Sequence, residues 1–133
     1  MKKGGILHSD LARIVAGMGH GDKLVLCDSG FPIPHHRPVA DIVLTLNIPR
    51  LLDALKVILG EMKVEEAIVA YEMQRISKPF YEEVQNLLAG IPIKKISHEK
   101  FKELTRSDVN ISFVRTGEAT KYSNLILVAG VVF

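Results

Sequence analysis

The chain has 133 residues, of which 47% are hydrophobic and 24% are charged, and its formal net charge is +2. These values are typical of an ordinary globular protein, so we expect residues 1–133 to form a single domain. Positive and negative side chains are mixed along the chain, and no basic stripe is interleaved with aromatic residues. This pattern argues against nucleic acid as a partner.

Covalent cross-links and membrane insertion are also disfavoured. The single cysteine, Cys27, cannot form an internal disulfide, and no CxxC pair indicates a zinc site. We expect Cys27 to be buried as a small hydrophobic residue. The N-terminal residues interrupt any apolar signal region, and the longest apolar run, "LILVAGVVF", is much shorter than the roughly 20 residues of a membrane-spanning helix. We therefore expect a cytoplasmic protein without a membrane partner.

The first third of the chain predicts one helix and two strands. Residues 9–19 have the apolar spacing of a short helix, which Ser9 or Asp10 can cap. The apolar run 23–28 is typical of a buried strand, and residues 39–46 predict a second strand.

The rest of the chain is predicted to alternate between helices and strands. The clearest helix, 49–62, is opened by Pro49 and has apolar residues at helical spacing. A strand over 65–73 and a helix over 78–90 follow. The remaining predicted elements are a strand in 91–98, a helix over 98–107 and strands in 110–117 and 123–133.

Strands that alternate with helices predict an α/β fold, here a single three-layer domain with a largely parallel sheet flanked by helices. In such sheets, ligands bind at the carboxyl ends of the strands. Asp28 and His98 each follow a predicted strand. We therefore expect both side chains at the ligand-binding edge; the alternative for His98 is that it only caps the helix that follows.

His20 lies between two glycines, directly after the first predicted helix. Histidine titrates near neutral pH and a helix C-terminus favours its protonated ring, so His20 is a candidate for proton transfer. The alternative is an ordinary histidine in a surface turn. Asp28 is a candidate to orient the His20 ring or to accept a hydrogen bond from a ligand hydroxyl. Its alternative is a turn-forming residue before Ser29 and Gly30.

A short polar span, 116–124, precedes the last predicted strand. Tyr122 and Asn124 can both donate and accept hydrogen bonds, as recognition of a polyhydroxy ligand requires; the alternative is an ordinary turn. The glycines around His20 follow a helix rather than a strand, so they do not form a dinucleotide-binding loop. Histidines, one carboxylate, amides and hydroxyls together favour proton transfer on a neutral, hydroxyl-rich molecule.

The loop "FPIPHHRP" invites a metal-site interpretation because it contains His35 and His36. Adjacent side chains on an extended segment point in opposite directions, and no acidic residue or cysteine lies nearby at ligand spacing. We therefore expect both histidines to face solvent and no metal to be bound.

Three motifs together resemble one known family over essentially the whole chain. They are the histidine and aspartate at 20 and 28, the D-x-G-x-P-x-P loop at 28–34 and the TGE…YxN ending at 116–124. The family contains the D-ribose pyranases and the L-fucose mutarotases. The resemblance implies a cytosolic, cofactor-free isomerase that interconverts the β-pyranose and β-furanose forms of free D-ribose. It also implies a homo-oligomer, often a decamer of two stacked pentameric rings, with sites at subunit boundaries.

The resemblance also implies roles for particular residues. His20 stands at the position of the catalytic proton donor. The residues at substrate-binding positions are Asp28, His98, Tyr122, Ser123 and Asn124.

Some positions depart from the family pattern. The type that acts on ribose usually has Asn, Pro and Ala at the positions of His8, Lys121 and Ser123. The GHGD and KYSN segments resemble the fucose type, whereas His98 and the 28–34 loop favour the ribose type. We therefore predict activity on D-ribose. The alternatives are an L-fucose mutarotase and a non-catalytic sugar-binding accessory protein.

Overall fold

Five helices and six strands follow one another in the computed structural model, which describes residues 1–133. None of the five helices combines the length and the apolar character needed to cross a bilayer. The helices are α1 (Ser9–Gly17), α2 (Leu51–Leu59), α3 (Tyr71–Ile76), α4 (Lys78–Leu87) and α5 (His98–Ser107). The strands are β1 (Lys23–Cys27), β2 (Val39–Asp41), β3 (Val64–Ala70), β4 (Ile93–Ile96), β5 (Ile111–Arg115) and β6 (Leu125–Ala129).

The six strands form one mixed sheet in the order β2-β5-β1-β6-β3-β4. Strand β5 pairs in parallel with β1 and β2, and β3 pairs in parallel with β4, whereas β6 runs antiparallel to both β1 and β3. Five strands therefore point the same way, which confirms the expected largely parallel sheet. The exception, β6, follows β5 through residues 116–124, which contain no helix. A parallel return would need a crossover of about a dozen or more residues.

Apolar side chains pack on both faces of the sheet. The larger apolar cluster joins α1, α2 and α4 to one face, where Leu24 and Leu26 of β1 lie. The smaller cluster lies on the other face, where Phe101 of α5 packs with Val25 and Cys27. Strand β1 is thus buried on both faces, so its sequence is continuously apolar rather than alternating. Burial raises the pKa of the Cys27 thiol far above its ordinary value, as expected for a cysteine in the core.

The first helix is capped by a residue other than the two predicted. His8 is the N-cap, and its Nδ1 accepts a hydrogen bond of 3.4 Å from the backbone N–H of Leu11. Ser9 and Asp10 are instead the first two helical residues. The imidazole nitrogen takes the place of the hydroxyl or carboxylate oxygen that usually accepts this bond.

All six strands are shorter than the segments predicted for them, and the early ends of β2 and β3 have identifiable causes. Strand β2 is limited to Val39–Asp41, because the next residues turn back on themselves and two of their backbone N–H groups donate to the Ile48 carbonyl. Strand β3 ends at Ala70, where the chain bends directly into α3. In both segments the apolar residues continue beyond the strand, so their pattern alone does not mark the end.

A side chain at Gly117 would collide with backbone. A Cβ there would lie 2.6 Å from both the nitrogen and the oxygen of Ile48 and would also overlap the carbonyl of Thr45. We expect Gly117→Ala to lower the free energy of unfolding, measured by urea denaturation, by about 1–3 kcal/mol, because the backbone must shift.

The matched control is Gly17→Ala in the last turn of α1, where nothing lies within 4 Å of the added Cβ. We expect it to be neutral or to raise the free energy of unfolding by up to about 1 kcal/mol, since alanine favours helix. Equal losses from the two substitutions would contradict the close packing at Gly117.

Candidate active site

A cleft of about 340 Å³ opens where β1 and β4 end and β6 begins. Because β6 runs antiparallel, its first residues lie at the same edge of the sheet as the last residues of its parallel neighbours. The volume lies in the range of small-molecule sites. The cleft is lined by Asp28, Gly30, Phe31, Pro32, His98, Lys121, Tyr122 and Asn124. It therefore contains four of the six residues predicted for the site.

Asp28 and Asn124, which both line the cleft, are joined by two hydrogen bonds in opposite directions. The Asn124 side-chain amide donates to Asp28 Oδ2 at 2.9 Å, and its Oδ1 accepts from the Asp28 backbone N–H at 2.8 Å. Asp28 Oδ1 accepts a further bond of 2.9 Å from the Gly30 backbone N–H. Asp28 thus forms the expected turn with Gly30 and also lines the cleft, while its hydrogen bond to a ligand hydroxyl stays a prediction.

His98 is the first residue of α5, and it lines the cleft rather than capping the helix. Ser97 is the cap, its Oγ accepting from the Lys100 backbone N–H at 3.2 Å. The His98 ring meets the Tyr122 ring edge-on, with centroids 5.0 Å apart, and stacks on Phe101. His98 Nδ1 is buried without a hydrogen-bond partner in the protein. A buried polar atom of this kind is better satisfied when a ligand hydroxyl reaches it.

Tyr122 has an unusual backbone conformation. Its φ is +57°, in the left-handed region that bulky residues rarely adopt. The preceding carbonyl, of Lys121, accepts a hydrogen bond of 2.6 Å from Ser77 Oγ. This bond ties the segment to the start of α4. The strained conformation directs the chain so that Tyr122 and Asn124 line the cleft.

Ser123 lies in a different environment from its neighbours. It is fully buried, its Oγ has no hydrogen-bond partner, and it does not line the cleft. The substrate-binding role of this position therefore stays a prediction.

Glu118 is a buried carboxylate for which the sequence predicted no role. Its side chain is 0% exposed, and it accepts hydrogen bonds from the Arg50 guanidinium, from the backbone N–H of Leu51 and from Thr120. The Leu51 N–H is at the first turn of α2, where an anion is favoured by the helix dipole. Since Arg50 is 68 residues away in the chain, no local sequence signal indicates the pairing.

The electrostatics of Glu118 follow from these contacts. Burial alone would raise the pKa of the carboxyl, but hydrogen bonds from Thr120, Arg50 and the Leu51 N–H outweigh it and hold the pKa below its ordinary value. The carboxylate thus stays charged inside the protein and joins the 116–121 segment to α2.

His20 lies at the amino ends of the parallel strands, whereas the cleft lies at their carboxyl ends. It precedes the amino end of β1, whereas Asp28 follows its carboxyl end. A five-residue strand separates its end Cα atoms by about 13 Å, so Asp28 cannot orient His20 within one chain. That prediction is wrong for the single subunit. His20 Nε2 is instead 2.9 Å from Glu65 Oε2.

The remaining polar candidates lie outside the cleft. His35 and His36 are both exposed, as expected. Arg115, an arginine that could have bound a negatively charged ligand, is paired with Asp41 at 2.6 Å and does not line the cleft. No group of three or more histidine, cysteine, aspartate or glutamate side chains is arranged to hold a metal ion.

The fold and the cleft define a class: a small α/β protein with a mixed sheet and a cleft lined by carboxylate, imidazole, phenol and amide groups. Within this class, residues 1–132 match the model of the RbsD / FucU transport protein family, and the chain belongs to that family.

Individual relatives match over the full length. The chain is 49% identical over 133 residues to a D-ribose pyranase of Coprothermobacter proteolyticus, with 100% of both chains covered. It is similar to the solved structure of Bacillus subtilis RbsD complexed with D-ribose, with a TM-score of 0.93, 42% identity and 100% of both chains covered. It shares its fold with a fucose mutarotase from Streptococcus pneumoniae in complex with L-fucose, with a TM-score of 0.72, 24% identity and 93% of each chain covered.

Removing the buried carboxylate tests its structural role. We expect Glu118→Ala to lower the free energy of unfolding by about 1–3 kcal/mol, because the Leu51 N–H and the Arg50 guanidinium lose a charged acceptor. Urea denaturation at neutral pH measures the loss. The control is Glu82→Ala on the exposed face of α4, whose ion pair with Lys78 is solvent-exposed; it is expected to cost less than about 1 kcal/mol.

The pH dependence gives a second test of Glu118. A lowered pKa in the folded state stabilises the protein above the ordinary glutamate value of about 4.3, and this stabilisation is lost as the pH falls through the lowered pKa. We expect the difference in unfolding free energy between the native chain and Glu118→Gln to shrink as the pH is lowered from 6 to about 3. A difference that grows over this range would contradict the assignment.

Proposed function

We propose that this chain interconverts the β-pyranose and β-furanose forms of free D-ribose, without a cofactor or a metal ion. The observation that carries the proposal is the cleft, in which Asp28, Asn124, His98 and Tyr122 present a carboxylate, an amide, an imidazole and a phenol to one small volume. Groups that accept or both donate and accept hydrogen bonds suit a polyhydroxy ligand. The 49% identity to a D-ribose pyranase along the whole chain supports the same conclusion.

The cleft residues hold the sugar. Asp28 accepts hydrogen bonds from sugar hydroxyls, while Asn124 orients the Asp28 carboxylate through their reciprocal pair. The Tyr122 hydroxyl and the His98 ring bind further hydroxyl groups. Ser123 contributes through the backbone between Tyr122 and Asn124, because its own hydroxyl is buried.

His20 supplies the proton. In its protonated form it donates a proton to the ring oxygen of β-D-ribopyranose while the anomeric hydroxyl gives its proton to a water molecule. The bond between C1 and the ring oxygen breaks and the aldehyde forms. Rotation about a carbon–carbon bond then brings the C4 hydroxyl to C1, and the reversed proton transfers close the furanose. A positioned acid contributes on the order of 10²–10⁴-fold to such a step.

His20 of one subunit serves the cleft of another. The two lie at opposite edges of the same sheet, so they meet only between copies. A contact between unlike surfaces of identical chains generates a closed ring when the rotation closes. Exposed apolar side chains support such an association, as at Leu44, Leu46 and Ile48, which are 79%, 65% and 52% exposed.

The size of the assembly and the location of the protein stay predictions. We propose a decamer of two stacked pentameric rings in the cytoplasm, as the sequence resemblance implies. Sedimentation of the purified protein measures the assembly, and a monomer at micromolar concentration would contradict a site shared between subunits.

The alternative sugar is L-fucose. Two observations favour it, the Lys121 and Ser123 side chains at positions where the ribose type usually has Pro and Ala. Sequence identity favours ribose, because this chain is 49% identical to the D-ribose pyranase and 24% identical to the fucose mutarotase. The presence of His98 in the cleft also favours ribose.

Saturation-transfer NMR on D-ribose at equilibrium tests the activity. We expect the protein to transfer saturation between the β-pyranose and β-furanose anomeric signals, and His20→Ala to lose the effect. His35→Ala, which replaces an exposed histidine outside the cleft, is the matched control and should retain it. Exchange between fucose anomers alone would assign the fucose alternative, and silence on both sugars would leave a binding protein without catalysis.

The cleft is tested by binding. We expect Asp28→Ala to weaken D-ribose affinity by about 10–100-fold in calorimetry, because a hydrogen bond to a charged group contributes about 1.5–3 kcal/mol. Asp10→Ala is a control, since Asp10 is an exposed residue of α1 that does not line the cleft. Unchanged affinity in Asp28→Ala would contradict the placement of the sugar.

A further inference from the structure

His20 and Glu65 meet at the end of β6, although they come from separate parts of the chain. His20 lies in the turn before β1, and Glu65 is the second residue of β3. These two strands flank β6 on either side. The His20 Nε2 to Glu65 Oε2 distance of 2.9 Å is that of a hydrogen bond.

Glu65 occupies a β-bulge. In the pairing of β3 with β6, Val64 is opposite Ala129 and Glu66 is opposite Val128, so Glu65 is an extra residue without a partner. A bulge changes the direction of the side chain that it contains, and bulges are frequent beside active sites. The irregularity is thus located at the residue that contacts His20.

The backbone on both sides holds this arrangement. The Gly21 N–H donates to the Ala129 carbonyl at 2.8 Å, and the Gly130 N–H donates to the Lys63 carbonyl at 2.9 Å. A Cβ at Gly130 would lie 3.1 Å from the Cβ of Glu65, so a side chain there would press against Glu65. The His20 turn and the bulge are therefore both fastened to the end of β6.

Stability does not account for the pair. The side chains of His20 and Glu65 are 59% and 44% exposed, and an ion pair this exposed contributes little to the free energy of unfolding. Stability alone therefore gives no reason for a bulge at Glu65 and a close approach of Gly130. A hydrogen bond can fix the orientation of the His20 ring even when it contributes little to stability.

We propose that Glu65 is a positioning residue for His20. Its carboxylate accepts the hydrogen of Nε2, which fixes the ring orientation and the tautomer. Nδ1 is then the nitrogen that faces the neighbouring cleft and exchanges the proton with the sugar. This inference rests on the proposed function, in which His20 is the proton donor.

The first experiment measures exchange and binding in the same variants. We expect Glu65→Ala to lower the rate of ribose exchange in saturation-transfer NMR by about 10–100-fold, with D-ribose affinity unchanged because the cleft residues are intact. Glu65→Gln retains a hydrogen-bond acceptor and should recover much of the rate. The matched control is Glu66→Gln, which alters the adjacent residue of the same strand and should leave the rate unchanged.

The second experiment observes the ring directly. Two-dimensional ¹H–¹⁵N spectra of the histidines distinguish the two neutral tautomers. We expect neutral His20 to carry its hydrogen on Nε2 in the native protein and to become a mixture of tautomers in Glu65→Ala. A purely structural role for Glu65 would not change the tautomer.

The outcomes separate the two hypotheses. A native protein that exchanges ribose, together with a Glu65→Ala variant of equal rate or an unchanged His20 tautomer, overturns the role of Glu65 and leaves the proposed function standing. A native protein that exchanges neither sugar overturns the proposed function and with it the positioning role, whatever the tautomer. Loss of rate in Glu65→Ala with unchanged affinity and an altered tautomer supports both.

Discussion

The direction of β6 is the constraint on which the cleft depends. An antiparallel strand between β1 and β3 begins at the edge where those two strands end. Asn124, just before β6, therefore lies beside Asp28, just after β1, and the two side chains form their reciprocal hydrogen bonds. A parallel β6 would place Asn124 at the far edge of the sheet. The same strand ends beside His20 and Glu65, so β6 runs from the sugar-binding residues to the proposed proton donor.

The buried Glu118 carboxylate secures the segment that leads into β6. It joins residues 116–121 to the first turn of α2 by accepting a hydrogen bond from the Leu51 N–H. The Thr116 hydroxyl donates a hydrogen bond to the Cys27 carbonyl at the end of β1. The segment is thereby held on two sides before it reaches Tyr122, whose left-handed backbone needs such support. The cleft is thus supported by the helices and strands around it, although most of its residues lie in loops.

Local patterns predicted most of the elements, the largely parallel sheet and the location of Asp28 and His98 at its carboxyl edge. The misses have physical causes. Asp28 was a candidate to orient His20, but strand β1 lies between the two residues and places them at opposite ends of the parallel strands. Glu65 and Glu118 depend on contacts between distant segments, which periodicity cannot reveal. The cap at His8 uses a ring nitrogen in place of the usual oxygen.

The central claim is that His20 of one copy acts on sugar held by the cleft of another. Mixed assemblies of His20→Ala and Asp28→Asn subunits, refolded together, test it most directly by ribose exchange in saturation-transfer NMR. At a ribose concentration well below saturation of the Asp28→Asn cleft, the account predicts slow exchange in each variant alone and faster exchange in the mixture, since random mixing unites an intact His20 with an intact Asp28 in roughly one site in four. A mixture as inactive as its components, with assemblies of normal size, would contradict a shared site.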